Sequence, residues 1–361
     1  GNFITDEEKL KKGFTNVYKE VGRNLVKALD GRTAVIPLSG GADSRMVATL
    51  LKNEGYDKVI CFSYGRENNT ESQISKEVAD SLGYKWLMAP YTRRLWHELS
   101  LDKTYKQYLR YAGNFTSLPH IQDFLAVKYL KDTNAIPEDS VFVPGHSGDL
   151  IAGSHITFEF LKESMTGEEF IMTIYKKFYK LRTLSPKVKR KILSNFKNSL
   201  ETTVGNLASY SEWFNIRERQ AKFIVNSVRV YEFFGYEWLI PLWDNELFKF
   251  WRQVPISWRY NRKLYFTCVP SNSLRSTNDS SIIKYIADTI RKIPLTRIIV
   301  RKLSKFYKYY FSSLQVEGIC SFCSYFKDCI LADEYFTTND LIKKQYLGLL
   351  KEKTNDPKKK I

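Results

Sequence analysis

AVIPLSGGADSRMVATLLKNEG, residues 34–55, runs from an apolar stretch through two adjacent glycines into a helical pattern. Ala34 to Leu38 are mostly apolar and read as a short buried strand, while Val47, Leu50 and Leu51 recur at the spacing of a helix with one buried face. The chain must therefore turn from strand to helix within Ser39-Gly40-Gly41-Ala42. A helix start leaves backbone N–H groups unpaired and partly positive, and glycines let an anion approach them. That makes the turn a candidate phosphate cradle, with an ordinary tight strand-to-helix turn as the plainer reading. Gly55 stands where a left-handed residue ends a helix.

The turn is neither a GxxxxGK[ST] lysine loop nor a GxGxxG dinucleotide turn. Ser39-Gly40-Gly41-Ala42-Asp43-Ser44 resembles the SGGxDS pyrophosphate loop of the N-type ATP pyrophosphatases, the superfamily of asparagine synthetase, β-lactam synthetase and several tRNA-modifying enzymes. The resemblance implies an adenine nucleotide alpha hydrolase-like fold and ATP as cofactor, cut between its α- and β-phosphates with release of pyrophosphate. It implies that Ser39, Gly40, Gly41 and Ser44 bind pyrophosphate, and that Asp43 holds Mg²⁺. Arg45 could add a charged hydrogen bond to phosphate.

Outward from this stretch the α/β pattern continues. Thr5-Asp6-Glu7-Glu8 matches a capping box and opens a helix to about Leu29. Lys58 to Tyr64 read as a second strand, Thr70 to Leu82 as a helix closed by Gly83, Tyr84 to Ala89 as a third strand, and Val141 to Val143 as a fourth. Strands alternating with helices predict a doubly wound, mainly parallel sheet whose ligands sit at the carboxyl ends of the strands. Beyond about residue 157 the chain reads as helical and basic, broken by YEWLIPLWD. The expected organisation is an N-terminal helix over 1–30, an ATP-binding core over 31–160, a helical part over 161–270 that completes the site, and a basic helical region over 271–361 with a disordered tail.

Two further stretches carry candidate chemistry. In GHSGD, residues 145–149, Gly145 lies in the turn after the fourth strand as a candidate nucleotide contact, and Asp149 lies on the rim that carries Asp43. Two carboxylates suit Mg²⁺, which takes few protein oxygens and completes its shell with phosphate and water; an Asp that caps the next helix is the other reading. Asparagine synthetases carry GEGxDE here; His146 replaces the first Glu and Leu150 the second. Downstream, Gly235, Glu237, Pro241, Asp244 and Leu247 resemble the GvExRxPFLDxxL segment of the asparagine synthetase domain, with Leu239 in place of its arginine. The resemblance implies that Lys263 reaches the phosphates and the growing negative charge of an acyl-adenylate, against the reading of a solvated lysine beside Arg259 and Arg262. Tyr64 and Gly65, and less directly Glu71, are candidates for the adenosine pocket, against a plain loop after the second strand. His120 reads equally as a substrate contact or a satisfied loop residue.

Residues 31–65 together with IPLWD, residues 240–244, most resemble asparagine synthetase-like proteins of bacterial surface-polysaccharide clusters, which implies adenylation of a uronic acid carboxylate followed by amide formation with ammonia. The first cysteine is Cys61, so the glutaminase domain of those relatives is expected to be absent, removed or supplied separately. The opening Gly1-Asn2-Phe3 does not read as a secretory leader. Five cysteines in 361 residues fit a reducing compartment, and the chain is expected to be cytoplasmic. A net charge of +17, from 56 Lys and Arg against 39 Asp and Glu, leaves a tRNA-modifying enzyme as the rival class. Specific nucleic-acid recognition is not expected, and the basic amphipathic stretch at 290–311 also suits the surface of an anionic membrane. Cys320, Cys323 and Cys329 supply half of a zinc spacing or three buried thiols.

Overall fold

The computed structural model describes residues 3–67, 69–99, 101–113, 119–156, 158–161, 166–178, 185–201 and 207–269. The basic stretch at 290–311, the three late cysteines and the tail lie outside them. The described chain forms two compact units. A sheet unit gathers Asn24–Gly145 and Ser227–Leu239, and a helical unit gathers Gly1–Arg23, His146–Asn226 and Ile240–Cys268.

The sheet unit is α/β and doubly wound. Its strands β1 (Ala34–Pro37), β2 (Val59–Gly65), β3 (Lys85–Pro90), β4 (Val141–Phe142) and β5 (Glu237–Trp238) lie in the order β3-β2-β1-β4-β5. Every pairing is parallel, with Ala34 beside Val59 on one side and beside Val141 on the other. Parallel strands need crossovers and are covered on both faces, so they read as continuous apolar runs. Ala34, Val35, Ile36, Phe62, Val141 and Phe142 are fully buried accordingly.

Helix α2 (Ala42–Asn53) follows β1 and buries Met46, Val47, Leu50 and Leu51. Helix α3 (Thr70–Leu82) follows β2; Asn69 caps it by accepting the Ser72 N–H at 2.8 Å, and Gly83 ends it at φ 72°. Gly55 has φ 70°, as its place after α2 requires. Phe142 stacks on Tyr231 at 4.2 Å between ring centres, which seals the sheet beside β5.

Helix α1 (Glu7–Leu29) has the expected extent, but its cap falls one residue later than a Thr5 capping box would place it. The Asp6 carboxylate accepts the Lys9 N–H at 2.7 Å, and a carboxylate is the stronger acceptor for that amide. In the helical unit Phe14 packs on Tyr18 at 4.1 Å and edge-on to Trp251 and Tyr265. Asp244 caps the helix Asn245–Trp251 through the Glu246 and Leu247 amides at 2.7 and 3.3 Å. A second core there gathers Phe160, Phe170, Ile174, Tyr210 and Phe214. Among the described residues no helix is long and apolar enough to cross a membrane.

Candidate functional site

β1 ends beside the switch point of the sheet, where the strand order turns from β2 to β4 on its other side. Open parallel sheets bind ligands at such a point, because the loops on either side diverge. Gly41 stands at the cap of α2 with extended backbone, φ −73° and ψ 151°, and no side chain caps the helix. The loop is instead folded by its two serines. Ser44 Oγ accepts the Ser39 N–H at 3.0 Å, Ser39 Oγ accepts the Gly41 N–H at 3.1 Å, and the two hydroxyls lie 3.1 Å apart. The Gly40 N–H donates at 2.6 Å to Oε2 of Glu71, from the first turn of α3. An amide of this loop thus holds a carboxylate oxygen in the structure, the kind of acceptor that a phosphate also presents.

Two neighbours hold the loop in place. Arg45 is buried, and its guanidinium donates to the Gly40 carbonyl from beneath. Burial pulls its pKa down and the charge of Glu71 pushes it back up. Gly145, after β4, lies against the start of α2: a Cβ there would be 2.5 Å from Ser44 N and 2.7 Å from the Asp43 carbonyl carbon. Only glycine allows that approach. Asp43 sits half-buried in the first turn of α2, where partial positive charge favours a carboxylate.

The end of β2 adjoins the loop, since Ser63 Oγ donates to the Leu38 carbonyl at 2.7 Å. Gly65 ends the strand at φ 122°, and its carbonyl accepts the Tyr91 N–H at 2.7 Å. Tyr64 stacks on Tyr91 with ring centres 5.1 Å apart, and its hydroxyl donates to Asp123 at 2.6 Å. Asp123 is buried and also accepts the Tyr231 hydroxyl at 2.9 Å, so two phenols compensate the cost of burying its charge. Burial, then Asp123, hold the Tyr231 hydroxyl well above its ordinary pKa. His120 is buried; its carbonyl accepts the Tyr108 hydroxyl, and burial lowers its pKa.

Asp149 and Lys263 belong to the helical unit. Asp149 lies in the short helix Gly148–Ile151 but is not its cap; Ser147 occupies that position with left-handed backbone, φ 70°. The Asp149 carboxylate accepts the Ser154 hydroxyl at 3.1 Å. Ser147 Oγ donates at 3.0 Å to Oε1 of Gln220, which projects from a π-helix, Ile216–Ile224. Gln220 is fully buried, and its Nε2 has no hydrogen-bond partner among the described residues. π-turns and non-glycine residues with positive φ are concentrated at functional sites, and both meet here beside Asp149. Lys263 is exposed, with its Nζ 3.7 Å from the centre of the Trp258 ring, a cation–π contact that fixes where its charge sits. Beside it Arg259 binds Glu212 bidentately at 3.1 and 2.5 Å.

Among the described residues no group of three or more His, Cys, Asp or Glu is gathered for a metal ion. Mg²⁺ held mainly by phosphate and water needs no such group. Residues 33–109, from β1 through the loop and both flanking helices to beyond β3, match the family described as Queuosine biosynthesis protein QueC. The match supports the N-type ATP pyrophosphatase superfamily. With it comes support for an enzyme that uses ATP. No curated protein matches the chain.

Glu71, Asp123 and Gln220 bear on the sites more than their sequence contexts announce. Glu71 is 31 residues from its partner Gly40, and Gln220 is 73 from Ser147. Asp123, in HIQD, could have been singled out only as an acid within an apolar helix start.

Proposed function

We propose that this protein is an ATP-dependent amide ligase that forms AMP and pyrophosphate. Its acceptor is the carboxylate of a uronic acid sugar in surface-polysaccharide biosynthesis, and its nitrogen donor is ammonia, free or delivered by a separate glutaminase. The observation that supports the AMP- and pyrophosphate-forming part of this reading is the serine-folded loop after β1, whose Gly40 amide holds an oxyanion and which contains no lysine of the γ-phosphate-transferring kind; the acceptor and the amide step rest on the resemblance of residues 31–65 and 240–244. A carboxylate oxygen of the acceptor attacks the α-phosphorus, the bond to the β-phosphate oxygen breaks, and pyrophosphate leaves. Ammonia then attacks the acyl carbon, loses a proton, and displaces AMP.

Within this reading Ser39, Gly40, Gly41 and Ser44 bind pyrophosphate, Gly145 keeps the wall beside the loop bare, and Tyr64 with Gly65 borders the adenosine. Asp43 and Asp149 would be the residues to hold Mg²⁺, which would supply positive charge to offset that of the leaving pyrophosphate. Lys263 supplies a fixed ammonium to the charge that grows in the transition state. A cytoplasmic enzyme with a net charge of +17 would suit acceptors carried at an anionic membrane face.

The deciding experiment supplies ATP, Mg²⁺, ammonium and a panel of nucleotide sugars bearing uronic acids, with aspartate as control. AMP and pyrophosphate, formed only with a uronic acid, support the reading; ADP as the main product overturns it. The QueC match favours a second reading, an ATP pyrophosphatase of queuosine biosynthesis or another tRNA-modifying enzyme. Tight binding to one tRNA at physiological salt would promote it, because binding driven by charge alone fades steeply with salt.

A further inference from the structure

Glu71 spends its side chain on the loop rather than on its own helix. The first-turn amide of α3 is already capped: Asn69 accepts the Ser72 N–H at 2.8 Å. The Glu71 carboxylate reaches instead to the Gly40 N–H at 2.6 Å, the length of a charge-assisted bond. The carboxylate sits close over Gly40, where a Cβ would lie 2.3 Å from Oε2 of Glu71. Arg45, buried beneath the loop, faces the same carboxylate electrostatically. One backbone donor, glycine geometry and a buried cation all converge on one side-chain anion.

We propose that Glu71 is an internal competitor for the pyrophosphate loop: its carboxylate and the phosphate oxygens of the nucleotide exchange at the Gly40 amide, so that its return helps to expel pyrophosphate after the first step. This rests on the pyrophosphate-loop reading above. One N–H cannot serve two anions at full strength, and two negative groups within a few ångströms repel one another. The loop therefore binds pyrophosphate more weakly, and releases it faster, than its donors alone would allow. Weak product binding is useful where release can limit turnover.

The test is equilibrium and stopped-flow binding of inorganic pyrophosphate with Mg²⁺ to the full chain and to Glu71→Gln, Glu71→Ala and Glu71→Asp, with thermal unfolding of each as a check of fold. Glu71→Gln keeps a hydrogen-bond acceptor and loses the charge, and it should bind pyrophosphate about tenfold more tightly, a change of about 1.4 kcal/mol, mainly through slower dissociation. Glu71→Ala should bind at least as tightly as Glu71→Gln, and Glu71→Asp should stay near the unaltered protein. Equal or weaker binding by both uncharged variants would overturn the proposal and make Glu71 a brace of the loop. Binding to none of the four folded proteins would instead sink the pyrophosphate-loop reading, and the proposal with it.

Discussion

The hydroxyl of Ser147 donates to Oε1 of Gln220 at 3.0 Å, joining the turn that carries Asp149 to the π-helix Ile216–Ile224. Left-handed backbone costs a residue with a Cβ about 1–2 kcal/mol, and glycine far less. Ser147→Ala keeps that cost and also leaves the Gln220 carbonyl oxygen unpaired. It should destabilise by about 1–3 kcal/mol, whereas Ser147→Gly, freed of the backbone cost, should lose less. Urea denaturation of the two variants checks the order; the reverse order would mean that the backbone at Ser147 is not strained.

Gly145→Ala places a methyl group 2.5 Å from Ser44 N, so the start of α2 must shift. Overpacking of this kind costs about 1–3 kcal/mol. The larger effect should fall on ATP, whose affinity should drop at least tenfold by calorimetry because the loop and the helix start move together. Unaltered affinity would show that the wall beside the loop can yield.

On the function proposed above, replacing Asp43 or Asp149 by Asn would remove a charge from the Mg²⁺ site and little packing, so it should abolish turnover while the unfolding temperature changes little. Unaltered kinetics in Asp149→Asn would reduce GHSGD to a turn. Lys263→Met should lower kcat more than it raises KM for ATP, as expected of a group acting mainly in the transition state.

Stability of the helical unit should fall in acid. Burial would raise the Glu212 carboxyl, but the bidentate Arg259, with His155 and Arg252, outweighs burial and holds its pKa below the usual carboxylate value. A folded pKa below the unfolded one gives stability that is full above the unfolded value and is lost as pH falls through the folded one. Melting temperature should therefore decline below about pH 4. Glu212→Gln should flatten that decline and cost about 3 kcal/mol at neutral pH, because the buried Arg259 keeps one amide acceptor but loses its counter-charge.

Much of the sheet unit was legible in sequence because its signals are local. Apolar runs of four to seven residues, helical spacing after each and glycines at the stops give β1, α2, β2, α3 and β3 within a residue or two. The turn after β4 was legible as a turn, but not why it needs Gly145, because the backbone it nearly touches lies about a hundred residues earlier. Asp123 meets Tyr231 across 108 residues, and no periodicity announces that pair. Nor does sequence announce a π-helix, since an i→i+5 register uses the same residue types as an α-helix. At the start of α1, Thr5 and Asp6 both suit a cap, and only the geometry chose Asp6.

The order of the strands also sets an order in time. β1, β2 and β3 come from residues 34–90 and can pair as soon as that stretch is made, whereas β4 waits for residue 141 and β5 for residue 237. Between them the chain leaves the sheet at Gly145 and re-enters it at Ser227. On the ribosome, the half-built sheet must expose one edge of β1 unpaired until β4 arrives, and β4 must do the same until β5 does. Such edges invite pairing with other chains, and non-local closure is slow. The nascent protein should thus depend on chaperones most while residues 91–237 are being synthesised.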